Sequence, residues 1–427
     1  MAEETRNIVI VGASFAGLQA AHYTLKHTLP ALKAGQKNGK YHVYLVAPSA
    51  HFYYRIASPR VATSTALMAA EKSIFNLREH FAKYSKDEFT FVEAAATGLD
   101  TASRTLLYRS GDDKTTDELS LQYHALIVAT GSTTNYPAFS ASTHIDDTLT
   151  AIKSTNERIA AADTIVIAGG GATGVEFAGE VAEFRNGKPG WFSSKAGNRP
   201  KTKITLITSS ANLLPTFKPA VGAAAAKKIQ ALGVEIMYNT RVLDTSTENE
   251  ITTINLSNKT TIQASLYIPT TGLIPNSAWL PTNLLTPSSY LNTNPSTLRV
   301  DLAGPRVYAL GDIASYSNNT ALEIPRALDT LAVNLLRDLT SYDPATPDAR
   351  PAGSDREFVP EKKEMGIFPI GTGGGVGVAM GWRVPSCMVW AIKGRDYMVG
   401  MNGKAVVSGE TVGKAIQLVG NEVVKQQ

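Results

Sequence analysis

Small residues recur at two places where a β-branched apolar run gives way to a helix-forming stretch. The first is Ile8-Val9-Ile10-Val11-Gly12-Ala13-Ser14-Phe15-Ala16-Gly17. The second is Ile165-Val166-Ile167-Ala168-Gly169-Gly170-Gly171-Ala172-Thr173-Gly174-Val175-Glu176. Glycine at the bend permits a tight turn, and glycine further on lets helix and strand pack closely. A helix starting there offers unpaired N–H groups and partial positive charge, a setting suited to a pyrophosphate. Far downstream, Tyr308-Ala309-Leu310-Gly311-Asp312 adds a carboxylate after a glycine. One such turn is weak evidence, but two with a late Gly-Asp imply two dinucleotides held face to face. The chemistry implied is hydride transfer onto FAD with NADH or NADPH as reductant. That transfer needs nicotinamide C4 and flavin N5 about 3–3.5 Å apart in a dry site, and little side-chain chemistry.

The residues expected to hold the flavin nucleotide are Gly12, Ala13, Ser14, Phe15, Ala16 and Gly17, with Gly311 and Asp312 from the late segment. Asp312 is expected at a helix start, its carboxylate accepting from ribityl hydroxyls; simple N-capping is the plainer alternative. Thr130 and Gly131 end the strand His124–Ala129, where small residues let the chain cross close to a cofactor. Two departures stand out. Ser14 occupies the middle position, usually glycine, and adds a hydroxyl that can bond phosphate. Ala47, in Val46-Ala47-Pro48, replaces the acid that normally holds the adenosine ribose, leaving Ser49 as a substitute. On the reductant side the expected contacts are Gly169, Gly171, Gly174 and Gly272, the last in Thr270-Thr271-Gly272. Glu176 is the candidate catalytic residue, at the nicotinamide end; a first-turn acid stabilising the helix dipole is its plainer reading. Thr208-Ser209-Ser210 supplies neither an acid for a ribose hydroxyl nor an arginine for a phosphate, and flanking Lys201 and Lys203 leave NADPH open beside NADH.

These positions require an α/β fold of two Rossmann-like dinucleotide-binding domains, of glutathione-reductase type, with a small C-terminal α+β module. Residues 1–140 and 285–345 form a discontinuous FAD-binding domain. Residues 141–284 form the NAD(P)H-binding domain, and 346–427 a linker and C-terminal module. The two halves end alike, in Ala129-Thr130-Gly131 and Thr270-Thr271-Gly272. Strands are expected over Ile8–Val11, His42–Val46, Glu88–Ala96, Ile204–Thr208, Val234–Tyr238 and Arg306–Leu310. Helices are expected over Pro219–Leu232 and from about Ala321 to Tyr342. The Gly/Lys-rich loop Arg185–Lys203 reads as a solvated excursion, and Asp343–Arg356 as a linker.

Composition narrows the function. A length of 427 residues, 43% hydrophobic and 18% charged, fits an ordinary globular protein of two or three domains. A net charge of +4 with scattered basic residues gives no long-range attraction to nucleic acid. Cys387 is the only cysteine, so no intramolecular disulfide or dithiol relay exists and thioredoxin-reductase-like chemistry is excluded. It is expected in the core. The seven histidines show no metal-ligand spacing. No apolar run reaches the ~20 residues needed to span a bilayer. Ala2 stands where myristoylation needs glycine, and Glu3 and Glu4 do not suit a mitochondrial presequence.

The chain resembles the two-dinucleotide flavoproteins, and within them the apoptosis-inducing-factor-like, mitochondrion-associated family of ferroptosis suppressor type. The marks are Ile8–Gly17, His51–Arg60, Ala129–Ser132, Gly169–Glu180, Thr271-Gly272, Val307–Asp312 and the tail Met388–Asp396. The resemblance implies flavin contacts at Gly12 to Ala16, Arg60, Ala96 and Asp312, with a surface arginine as the plainer reading of Arg60. It also implies NAD(P)H-driven reduction of FAD and then of a quinone. Trp382–Met398, with Met388, Trp390, Ile392 and Tyr397, resembles a quinone- and membrane-facing end; packing of the small module is the alternative. The expected location is cytoplasmic, or peripheral on a membrane, lipid droplet or mitochondrial surface. Two further readings compete: a biosynthetic flavoenzyme acting on a small metabolite, and a cell-death or nucleic-acid-binding protein with a structural flavin. The Phe-x-Gly-x-x-x-His motif of flavin monooxygenases is absent.

Overall fold

A computed structural model describes residues 5–35, 39–111, 117–188, 201–419 and 422. The first unit contains β1 (Thr5–Val11), α1 (Phe15–Tyr23), β2 (Lys40–Ala47), β3 (Phe89–Glu93) and β4 (Ala125–Val128). The second contains β5 (Thr164–Ala168), α2 (Ala172–Asn186), β6 (Lys203–Ile207), α3 (Pro219–Ala231), β7 (Val234–Met237) and β8 (Leu266–Pro269). The chain then supplies β9 (Val307–Ala309) and α4 (Ile324–Thr340), and ends in β10 (Gly366–Pro369), β11 (Gly375–Ala379), β12 (Trp382–Arg383) and short helical turns.

Two parallel sheets result. The first runs β9-β4-β1-β2-β3, so the late strand β9 returns to pair with β4. The second runs β7-β6-β5-β8. Their central strands are buried on both faces: Ile8, Val9, Ile10, Ile165 and Ile167 have no exposed surface. Such continuous apolar runs suit parallel sheets covered by helices on both sides. Each sheet therefore aims its strand C-termini at one crevice, the place where ligands sit in open α/β sheets.

Two antiparallel meanders accompany the parallel sheets. Ala95–Asp100, Thr105–Arg109 and Leu119–Gln122 form one, and Val242–Glu248, Ile251–Leu256 and Thr261–Ala264 the other. The strand expected through Ala96 thus breaks after Glu93, and its remainder joins the first meander. Between the units, Ser132–Thr134 pairs antiparallel with Leu273–Pro275, tying the two Thr-Gly crossings together.

The C-terminal module is a three-stranded antiparallel sheet, β10-β11-β12, followed by Ser386–Val389, two π-type turns and the helix Lys404–Ser408. Buried His22 anchors that last helix to α1: its Nε2 lies 2.9 Å from the Val407 carbonyl and its Nδ1 2.8 Å from the Tyr84 hydroxyl. The stretch expected as a linker carries no helix or strand, and its C-terminal end is fastened. Asp355 accepts from buried Arg299 and Arg337, and Arg356 pairs with Glu422 at 2.6 Å. Cys387 is exposed, not in the core: in the short helix Ser386–Val389 it is Val389 that turns inward. Most of the loop expected over Arg185–Lys203 falls outside the described residues; α2 runs to Asn186 and β6 begins at Lys203.

Candidate functional site

The first turn is built by contact between backbones. Gly12 adopts φ +108°, and a Cβ there would collide with the Ala129 carbonyl; a Cβ on Gly17 would collide with the Gly12 carbonyl. Only glycine lets α1 start this close to the ends of β1 and β4. Ser14 is the N-cap of α1, yet its side chain makes no capping bond, so its hydroxyl is not spent on the helix. Two cavities open beside this turn, of about 380 and about 350 Å³. Ser14, Phe15 and Ala16 line the larger, while Gly12, Ala13, Ser14, Ala96, Thr130 and Gly131 line the smaller. Ala47 and Ser49 also border the smaller cavity, which no acid lines. The Ser49 hydroxyl accepts from the His51 N–H at 3.1 Å.

Asp312 lies in the larger cavity, but not at a helix start. Gly311 bends with φ +79°, and Asp312 sits in a turn well before α4 begins at Ile324. Its carboxylate is held by the Ser132 hydroxyl at 2.8 Å and by Arg55. N-capping is therefore not its role. Ile324, the first residue of α4, and Ala321 just before it line the same cavity, so a helix end does face it, from a different element than expected.

The second turn repeats the backbone device with one change. A Cβ on Gly169 would strike the Thr270 hydroxyl, and one on Gly174 the Gly169 carbonyl. Here a threonine side chain, its Oγ1 donating to Ala168 at 2.9 Å, fills space that backbone fills in the first turn. Gly171 differs. Its φ is −76°, and nothing lies within 4 Å of an added Cβ, so glycine there keeps room at the cavity rather than meeting a backbone demand. Gly272, with φ +80°, lines the same cavity. Lys203 stands at the N-terminal start of β6, its Nζ 3.9 Å from Glu235. Five strand residues at ~3.3 Å each separate it from the crevice by roughly 15 Å, so it does not flank the serine cluster as the sequence implied.

Glu176 lies beyond the first turn of α2, which carries no acid, so a dipole-stabilising role in that turn is excluded. The residue is 3% exposed, lines the larger cavity, and its Oε1 meets the Nζ of Lys393 at 2.5 Å. Burial pushes its carboxyl up to about 7, against the opposing pull of Lys393. Lys393 also lines the cavity. It arrives from 217 residues downstream, on the π-type turn Trp390–Gly394, and its partnership was not read from the sequence. A lone lysine in an apolar tail gives no signal of where it docks.

One turn further along α2, Glu180 receives Arg60 in a forked pair, Nε–Oε2 3.0 Å and Nη2–Oε1 2.7 Å. Both are almost wholly buried. Arg60 also donates to the Gly394 and Arg395 carbonyls, and the Tyr397 hydroxyl donates to Glu180. Arg60 is thus neither a surface arginine nor a lining residue of either cavity; its guanidinium fastens the C-terminal module to α2. The arginine that does reach the cavities is Arg55, five positions earlier, which lines both. Sequence reading missed it because both arginines sit in one short stretch, and only the turn at Arg55–Ala57 decides which one faces inward.

The profile described as pyridine nucleotide-disulphide oxidoreductase matches residues 6–330, which spans both sheets. The chain belongs to this family. FAD and NAD(P)H are its typical cofactors, and the donor set here fits them: paired cavities, two Cβ-free cradles at Gly12/Gly17 and Gly169/Gly174, and a carboxylate at Asp312. The family name includes disulphide chemistry, yet a single cysteine leaves this member no dithiol. The chain is 36% identical over 93% of its length to "Oxidoreductase phnG" of Penicillium herquei, covering 96% of that protein. It is 24% identical over 94% of its length to human "Ferroptosis suppressor protein 1", covering 95%. Its fold superposes on the structure of NDH2 from Plasmodium falciparum in complex with NADH, with a TM-score of 0.64 at 17% identity, over 91% of this chain and 94% of that one. No helix among the described residues is long and apolar enough to cross a membrane.

Proposed function

We propose that this oxidoreductase takes a hydride from NAD(P)H onto FAD and then reduces a quinone-type acceptor by two electrons, in the manner of the apoptosis-inducing-factor-like branch. One observation carries the reading: Ser14 and Asp312 from the first unit, Gly171 and Glu176 from the second, and Lys393 from the C-terminal module border one cavity. FAD, when bound, supplies a site that accepts a hydride and gives up two electrons. In this reading the Gly12–Gly17 turn, Thr130, Gly131, Ala96, Gly311 and Asp312 seat the flavin nucleotide. Gly169, Gly171, Gly174 and Gly272 let the nicotinamide nucleotide approach. Forming a quinol from a quinone takes two electrons and two protons. The hydride carries both electrons and one proton, and the second proton comes from solvent. Glu176, its carboxyl raised to about 7 by burial, is the group placed to hold and pass on that proton, with its Oε1 accepting from Lys393 Nζ.

The C-terminal module supports contact with an apolar acceptor or a membrane surface. Met388, Trp390, Ile392 and Met401 remain exposed on it, while Tyr397 is buried. A peripheral location on a membrane or lipid droplet is the corresponding expectation.

A second reading keeps the same reductive half and replaces the quinone with a small organic metabolite. It is favoured by the 36%-identical Penicillium herquei relative, whose name specifies an oxidoreductase and no acceptor. Steady-state NADH and NADPH oxidation with a panel of quinones, oxygen and small carbonyl or enone compounds separates the two. Quinone turnover well above the oxygen rate is expected. Turnover confined to a metabolite would overturn the quinone reading and leave the flavin assignment intact.

A further inference from the structure

The two cavities share four lining residues, Ser14, Arg55, Ala129 and Gly131, which form a waist between them. Any extended dinucleotide occupying both must pass its middle, the diphosphate, through that waist. Ser14 caps α1 there, so backbone N–H groups and the positive end of the helix already face it. What the turn lacks is a second source of positive charge. Among the described residues, Arg55 is the one arginine or lysine that lines both cavities.

We propose that Arg55 is the cation that seats the FAD diphosphate, and that it does so while holding Asp312 in place. The inference rests on the flavin reading above and extends it to a residue outside the glycine turn. Arg55 Nη1 donates to the Ser132 carbonyl at 2.7 Å, and Nη2 donates to the Asp312 carboxylate. Those bonds use one N–H on each Nη, whereas a guanidinium has five. Its side chain is 29% exposed and lines both cavities. A guanidinium matches phosphate oxygens in a forked geometry that an ammonium cannot reproduce. Arg60, which the resemblance nominated for flavin contact, has its donors committed to Glu180 and three carbonyls. Arg55 also answers the two departures in the nucleotide signature. With Ser14 crowding the middle of the turn and no acid lining the adenosine-side cavity, affinity has to come from the waist.

The test strips FAD from the full-length protein and titrates back FAD, with ADP as a competitor of FAD and riboflavin as a probe lacking the diphosphate. Arg55→Ala should weaken FAD and ADP alike by about tenfold or more, which is ~1.4 kcal/mol, and weaken riboflavin, through the loosened Asp312, by a clearly smaller factor. Arg55→Lys, which keeps the charge and loses the fork, should recover FAD binding only in part. It also serves as the second variant, with circular dichroism to confirm folding, should Arg55→Ala not fold. Unchanged FAD and ADP affinity in either folded variant would overturn the inference. So would a loss confined to riboflavin, because Arg55 would then act only through Asp312. If the wild-type protein binds no FAD at all, the functional reading fails instead, and that outcome is distinguishable.

Discussion

The two nucleotide turns reach the same shape by different means. In the first, Gly12 and Gly17 are needed because the Ala129 and Gly12 carbonyls occupy the space a Cβ would take; in the second, Thr270 Oγ1 shares that duty with the Gly169 carbonyl. Backbone contact makes the first turn intolerant of any side chain. The second leans partly on a hydroxyl that can be removed. The turns also differ in their polar company: Asp312 and Arg55 meet beside the first, Glu176 and Lys393 beside the second. Shape is thus a shared backbone property, and the chemistry at each end is set by residues contributed from elsewhere in the chain.

Alanine at Gly17 or Gly174 should break the comparison most severely. Neither site offers a flexible neighbour to yield, so a loss of about 3 kcal/mol, read by urea or thermal unfolding, is expected. Gly171→Ala should stay within ~0.5 kcal/mol of wild type, since its Cβ meets nothing, and should instead weaken nicotinamide binding. Equal destabilisation at all three would dissolve the distinction between packing glycines and cavity glycines.

Glu176→Gln sharpens the contrast in chemistry. The acceptor-reduction rate of the wild type should inflect near pH 7, and the variant should lose that inflection with about tenfold or more of its rate. The stability consequence follows from the raised value. The fold prefers protonated Glu176, so its contribution is full below pH 4.5 and is lost as pH rises through 7. The glutamine variant should show a flatter stability profile over that window. Retention of the inflection would assign it to another group.

Thr270→Ala makes the second turn more like the first, removing the hydroxyl that donates to the Ala168 and Gly169 carbonyls at a cost of about 1 kcal/mol while keeping nicotinamide binding. Smallest of all is Lys203→Ala. It should not alter the preference between NADPH and NADH, because that lysine stands at the far end of β6. A change in the ratio would mean the crevice is reached by a different route.

Much of this arrangement is legible in the sequence where backbone sterics dictate residue type. Gly12, Gly17, Gly169 and Gly174 announce both turns, and the apolar runs through Ile10 and Ile167 announce central parallel strands. The return of Val307–Ala309 to the first sheet could be expected from its apolar run before Gly311. What could not be read depends on long-range docking. Lys393 reaches Glu176 only once the C-terminal module folds back on α2, and nothing local to either residue reveals it. The choice between Arg55 and Arg60 turns on a single short helical turn. The helix start expected at Asp312 and the burial expected of Cys387 show the opposite error, where a local rule gave way to the path of the surrounding chain.

The central claim is that one cavity seats FAD against a nicotinamide so that two electrons cross together. Anaerobic mixing of purified, FAD-loaded protein with NADH, and separately with NADPH, tests it directly. The account predicts that at least one of them bleaches the yellow flavin absorbance with one equivalent of reductant per flavin, without a radical spectrum accumulating. Protein that stays colourless in excess FAD, or bound flavin that neither nucleotide reduces, would contradict it.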